Sequence, residues 1–227
     1  MAAIRQHKFA ILLITIVFAL TAQSFGHTII GGPTATDTVT LLAMMAVLRI
    51  VFERRRERYW SMAAVGVAVA ATLTHYFDLA DQLRRYVSLV QHGGYIVFTG
   101  FAALVILRNV FEQTRIGRDD VLGAICGYLL AGAAWANIYL VIYLLVPESF
   151  SLAPVLSDQM TNWHSRNAVL NLVSLGSQTS VGYADVTAVK PPATVLTMLE
   201  SVFGQFYIAV VVAQLVGLRM AHAPRRQ

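Results

Sequence analysis

Apolar residues run in long stretches along this chain, and polar ones gather between them. A helix needs about 20 mostly apolar residues to cross the hydrocarbon core of a bilayer. Stretches of this kind fall at 9–25, 38–52, 60–77, 86–111, 121–146 and 194–218, and they predict six membrane-spanning helices. The first stretch also fits a signal peptide, with Arg5 and Lys8 ahead of an apolar middle and small residues near Ala22. Its length and poor cleavage signal favour a retained helix.

One segment breaks the simple alternation. About 45 residues separate the last two spans, too many for a turn and too apolar for an outer loop. Within them Val169, Leu170, Val173 and Gly176 recur at helical spacing, which predicts a short helix over 167–177. It is too short to span. A short helix followed by a Gly-containing extended run, between two spans, suggests a re-entrant element. Non-helical backbone at membrane depth survives only when buried in protein or lining water. The segment therefore points to a pore or a binding site.

Composition agrees with a membrane protein. Of the 227 residues, 57% are hydrophobic and 13% charged, against about 25% charged in soluble domains. The lone cysteine, Cys126, excludes an intrachain disulfide framework and a Cys-cluster metal site. A net charge of +5 raises the question of a nucleic-acid partner. The basic residues instead sit at the ends of apolar runs, as topology signals do, so no nucleic acid is expected. With both termini in the cytoplasm, thirteen of the seventeen Lys and Arg fall on cytoplasmic stretches. Only Arg84, Arg85, Arg166 and Lys190 fall outside. The expected location is a cell membrane, multi-pass. The run Glu53-Arg54-Arg55-Arg56-Glu57-Arg58 reads as a cytoplasmic anchor that touches anionic lipid.

The chemistry concentrates in Ser174-Leu175-Gly176-Ser177-Gln178-Thr179-Ser180-Val181-Gly182-Tyr183-Ala184-Asp185. This run resembles the T-T-V-G-Y-G-D signature of potassium-channel pore loops. The resemblance continues through Val186, Thr187 and Pro191 into Leu199-Glu200-Ser201-Val202-Phe203-Gly204-Gln205, which is similar to the inner helix of bacterial potassium channels of the two-helix pore-domain family. It covers about 50 residues, 169–218, and the fifth span fits the family's outer helix. The first four spans match no such pattern.

The resemblance implies an all-α membrane protein of six transmembrane helices, with a re-entrant pore helix and filter loop between the last two, assembled as a homotetramer. It divides the chain into a four-helix transmembrane domain at 1–118, a pore domain at 119–220 and a short cytoplasmic tail at 221–227. The implied activity is passive conduction of monovalent cations, with potassium as the permeant ion and no cofactor. Thr179, Ser180, Val181, Gly182, Tyr183 and Ala184 would form the ion-binding filter, with K+ held by backbone carbonyls. The mechanism needs backbone angles that residues with a Cβ resist, and Gly182 supplies them. In the family, Val181 packs outward against the pore helix, the Ser180 hydroxyl and carbonyl form the innermost site, and Tyr183 anchors the ribbon sideways. Asp185 sits at the outer mouth, where four copies concentrate cations. Gly204, 22 residues after Gly182, matches the family's gating hinge, with close helix packing as its rival reading. Below it Ile208, Val211, Val212 and Leu215 are candidates for a dry constriction.

Two departures bear on selectivity. Ser180 replaces threonine, keeping the hydroxyl and losing a methyl. Ala184 replaces the last glycine, where a left-handed backbone costs a non-glycine residue roughly 1–2 kcal/mol, or about 4–8 kcal/mol over four subunits. A weakened outer end follows, with lower selectivity or ready inactivation. Leu172 and Val173 stand where many relatives carry aromatics, and Gly176 where some carry a carboxylate. Glu200 either supports the outer end of the filter or caps the start of the last helix, the second reading being preferred. No span carries the arginine series of a voltage sensor.

Other candidates read as ordinary structure. His75, Asp78 and Asp81 form a solvated helix end rather than a metal site, Trp163 beside His164 an interfacial anchor, and Gly31-Gly32-Pro33-Thr34 an outer turn. The main rival to a channel is a non-conducting membrane receptor or regulatory subunit that lost conduction through Ala184. A membrane-embedded enzyme would need a polar cluster inside the spans, and none is expected.

Overall fold

The computed structural model describes residues 7–29, 33–52, 55–74, 81–112, 117–154, 163–183 and 185–221. The fold is mostly helical, at 86%. Its helices are α1 (Lys8–Ile29), α2 (Pro33–Val51), α3 (Arg55–Thr74), α4 (Asp81–Glu112), α5 (Arg118–Leu145), α6 (Trp163–Gln178) and α7 (Pro191–Ala221). Three of them contain segments long and apolar enough to cross a membrane: Gln82–Glu112, Asp119–Leu145 and Pro191–Gln214. Lys8–Ala22 and Val39–Val51 are shorter apolar stretches of the same kind.

An apolar run that crosses a membrane must be helical, because lipid offers its backbone no hydrogen bonds and the chain must supply them internally. The helix ends are set by polar residues. Asp119 and Asp120 occupy the first turn of α5, where carboxylates suit the positive end of the helix dipole. Asp120 Oδ2 accepts the Gly117 N–H at 2.8 Å. Asp119 Oδ1 accepts the Phe9 N–H at 3.2 Å, which fixes the start of α1 beside the start of α5. α7 opens on Pro191 and Pro192, at positions where a missing N–H costs nothing.

α4 and α5 make the most extensive helix pair, and α3 packs on α4, α1 on α2 and α5. One apolar core joins Phe9 and Leu12 of α1, Val47 of α2, Phe98 and Ile106 of α4, Leu130 of α5 and Val211 of α7. A second, smaller core lies at the far end of α5. There Tyr139 and Leu140 meet Val169, Leu170 and Val173 of α6 and Ala193 of α7.

Two short strands, β1 (Phe150–Leu152) and β2 (Val186–Ala188), pair antiparallel with Phe150 opposite Ala188 and Leu152 opposite Val186. The pairing is extended by Ala153 N–H to Asp185 O at 2.8 Å and Val189 N–H to Ser149 O at 2.9 Å. The sequence did not predict this ribbon. Three-residue strands carry no periodicity to read. Their effect is to tie the chain leaving α5 to the chain entering α7, directly beyond the 180–183 segment.

Candidate functional site

α6 ends at Gln178, and the four residues that follow turn their amides back onto it. Thr179 N–H donates to Leu175 O at 3.1 Å and Ser180 N–H to Ser177 O at 2.9 Å. Val181 and Gly182 both donate to Gly176 O at 3.0 Å. These bonds satisfy carbonyls that a helix C-terminus leaves open. On the other side of the ribbon, no hydrogen bond among the described residues reaches the carbonyls of Ser180, Val181 or Gly182. Tyr183 O accepts the Val186 N–H at 3.2 Å, where the ribbon hands over to β2.

The backbone alternates in hand along this ribbon. Ser180 (φ 59°) and Gly182 (φ 78°) are left-handed, and Val181 between them is not. Such alternation abolishes the side-to-side carbonyls of a pleated strand. A Cβ on Gly182 would meet nothing within 4 Å, so its φ, not space, calls for glycine. Ser180 bears a left-handed cost of roughly 1–2 kcal/mol, which the sequence reading placed only at Ala184. Its hydroxyl accepts a hydrogen bond from Gln205 Nε2 of α7 at 3.1 Å. Gly176 has a packing role: a Cβ there would lie 3.0 Å from the Gly182 carbonyl carbon and oxygen.

Buried polar groups hold the ribbon's base. Gln178 is fully buried between α5 and α7. Its Nε2 donates to Tyr128 O at 2.9 Å, and its own carbonyl accepts the Tyr128 hydroxyl at 3.0 Å. Gly132 and Gly204 make room for it. A Cβ on Gly204 would stand 1.9 Å from Gln178 O. A second set lies one helical turn earlier on α6, at Ser174. Glu200 Oε1 contacts Ser174 Oγ at 2.5 Å, and Glu200 Oε2 accepts the Tyr139 hydroxyl. Ser174 Oγ also donates to Gly132 O at 2.8 Å. Ser201 Oγ donates to Ser177 O at 2.8 Å, adding a further bond from α7 to α6. The Gln178 set was not anticipated, and of the second set only Glu200 was, in its less preferred reading as a support for the filter. The available signal was the presence of Gln178 and Glu200 beside apolar runs, where polar side chains are costly unless partnered.

The predicted site residues fall as follows. Thr179 closes α6, its hydroxyl bonded to Leu175 O at 2.7 Å. Val181 does not pack against α6 in this chain. The residue is 83% exposed, and its N–H makes the attachment instead. Tyr183 packs against the smaller core, on the side of the ribbon away from its start. Asp185 is exposed, and its carbonyl enters the strand ribbon. Ala184 lies outside the described residues. α7 runs unbroken through Gly204, whose lack of a side chain is used for close approach to Gln178. Ile208 and Val212 are exposed, and Val211 is buried in the large core, which removes it from the candidates for a constriction. The side chain of Leu215 is outside the described residues. Glu200 is no helix cap. α7 begins nine residues before it, and the carboxyl is buried against α5 and α6.

Two buried polar clusters also overturn the expectation of none inside the spans. One is the Glu200 set. The other joins α4 to α5, where His92 Nδ1 lies 2.7 Å from Asn137 Oδ1. His92, Ser174 and Glu200 are all fully buried. Among the described residues no group of three or more His, Cys, Asp or Glu is placed to hold a metal ion. His75 and Asp78 lie outside the described residues, as do Gly31 and Gly32, and so do the side chains of Asp81, Trp163 and His164. Beside the ribbon, Ser180, Ser201, Val202, Gln205 and Phe206 line an open, apolar groove. Comparison of the chain with protein-family models, with curated proteins and with solved structures finds no match.

Proposed function

We propose that this chain is one subunit of a homotetrameric cation channel in a cell membrane, with K+ as the permeant ion. The observation that carries the reading is the 180–183 ribbon. The amides of Ser180, Val181 and Gly182 are consumed by α6, while their carbonyls have no partner among the described residues. A dehydrated cation must recover the energy of its lost water shell, and rings of backbone carbonyls do this. A single ribbon cannot encircle an ion, so several copies must surround one axis. The exposure of Ser180, Val181 and Gly182, and of Met198, Val202 and Phe206 on α7, is consistent with surfaces that copies of the chain cover.

In this reading α1 to α4 form a four-helix membrane domain, α5 is the outer helix, α6 the pore helix and α7 the inner helix. That gives six spans per subunit, with both termini cytoplasmic. The C-terminal end of α6 directs partial negative charge toward the conduction path and favours cations. Asp185 adds a ring of four carboxylates at the outer mouth. Gly204 serves first as the packing site for Gln178, and any bending of α7 must begin by releasing that contact.

The test is ion flux through the purified protein in liposomes, first with K+ and then with Na+ as the only permeant cation. K+ flux exceeding Na+ flux is expected. Equal flux would sink the selectivity claim, and no flux from a folded tetramer would sink conduction. Ala184→Gly separates the rival, a non-conducting receptor or regulatory subunit. In a channel the substitution sharpens existing selectivity, whereas in the rival it creates current where there was none.

A further inference from the structure

Glu200, Ser174 and Tyr139 meet in a space closed to solvent, and the protons available to them can be counted. Three contacts join Glu200 and Ser174 to their neighbours: Ser174 Oγ to Gly132 O at 2.8 Å, Ser174 Oγ to Glu200 Oε1 at 2.5 Å, and the Tyr139 hydroxyl to Glu200 Oε2; the Ser177 hydroxyl, bonded to Tyr139, brings its own proton. Each hydrogen bond needs its own proton. A serine hydroxyl has one and a tyrosine hydroxyl has one. Gly132 O is an amide carbonyl and has none to give. Tyr139 supplies the bond to Oε2. Ser174 can supply the bond to Gly132 or the bond to Glu200, but not both. The third proton has to sit on the carboxyl.

With a carboxylate, one of the two contacts made by Ser174 would set oxygen lone pairs against each other at close range. A buried polar contact without its hydrogen is costly. An ionised carboxyl enclosed at this depth, with no cation beside it among the contacts described, adds the larger cost of an unpaired buried charge. A protonated carboxyl removes both. Its O–H donates to Ser174 Oγ, Ser174 donates on to Gly132 O, and the second carboxyl oxygen accepts from Tyr139.

We infer that Glu200 is a neutral carboxylic acid that donates to Ser174, and that it acts as the positioning residue for the 180–183 ribbon. The chain of bonds runs from α7 through Glu200 to Ser174 on α6 and Gly132 on α5, and from Glu200 to Tyr139 on α5. It fixes α6 from two sides, two residues before Gly176, whose carbonyl receives the Val181 and Gly182 amides. Glu200 touches no ion and acts only through α6. The positioning role rests on the channel reading, whereas the protonation state does not.

The two parts are tested separately. Infrared spectra of the purified wild-type protein at neutral pH should contain the C=O stretch of a protonated carboxyl, and Glu200→Gln should remove it. Ser174→Ala should move the same band upward in frequency, because the carboxyl loses its acceptor. Absence of the band in wild type, or its persistence in Glu200→Gln, would overturn the inference. Flux then tests positioning. Glu200→Gln keeps a donor and an acceptor in place, and should retain the K+ to Na+ flux ratio within about twofold, while Glu200→Leu should lower it by about tenfold. Equal loss in both variants would overturn the positioning role. A wild-type band with no flux from any variant would leave the protonation intact and remove the channel reading instead.

Discussion

Between α1, α2 and α4 the buried contacts are those of Phe9, Leu12, Val47, Phe98 and Ile106. Between α5, α6 and α7 they include Tyr128, Tyr139, Ser174, Gln178 and Glu200, each hydrogen-bonded to another element. The contacts named for the first region are apolar and carry no direction. Lipid tails are as apolar as these side chains, so such packing draws on dispersion and close fit rather than on escape from water. The second region has directional bonds, which fix one arrangement and disfavour its neighbours. In the proposed reading, a ribbon that holds carbonyls in place draws on the second kind of support. The difference also locates small residues. Gly204 and Gly132 sit against Gln178, while Gly93 of α4 faces open space.

The sharpest way to break this contrast is Gly204→Val. Its Cβ would fall 1.9 Å from Gln178 O, and backbone cannot swing aside as a side chain can. We expect destabilisation at or beyond the usual 1–3 kcal/mol of overpacking, read as a lowered Tm of the detergent-solubilised protein and loss of ion flux. An unchanged Tm would mean that α6 and α7 do not meet there. Gln178→Leu comes next. It removes the side-chain bond to Tyr128 O, which keeps its place in the α5 backbone ladder, and leaves the pocket between the two glycines misfilled, at about 1–3 kcal/mol. Its effect on ion selectivity should exceed its effect on Tm.

Ile106→Val in the large core should cost about 0.5–1.5 kcal/mol and leave the K+ to Na+ flux ratio unchanged. A shift in that ratio would show that the two regions are coupled after all. The smallest effect is expected from Gly93→Ala. With nothing within 4 Å of the new Cβ, the substitution should raise stability by up to about 1 kcal/mol through helix propensity, again without altering flux.

Much of the fold was legible in the chain. The runs at 86–111, 121–146 and 194–218 appear as α4, α5 and α7, and the short helix predicted over 167–177 appears as Trp163–Gln178. Helix starts were read too late. α4 begins at Asp81 and α7 at Pro191, because a polar first turn in α4 and a Pro-Pro start in α7 carry no hydrophobic periodicity. The order of residues from Ser174 to Asp185 was enough to single out the ribbon, and Gly182 as the residue whose backbone angles require glycine.

What the sequence by itself determined is therefore local: which stretches are helical, where a short helix gives way to extended backbone, and which position demands a left-handed glycine. Each of these depends on residues a few places apart, within reach of periodicity and of steric limits on φ. Only the tertiary structure decided that Glu200 lies against Ser174 and Tyr139 rather than at a helix start. It also decided that Gly204 receives Gln178, that Ser180 is left-handed, and that β1 pairs with β2. Those contacts join positions 26 to 61 residues apart in the Ser174, Gln178 and Glu200 sets. A buried polar side chain announces in sequence that it needs a partner, but the partner is chosen by how three helices come together.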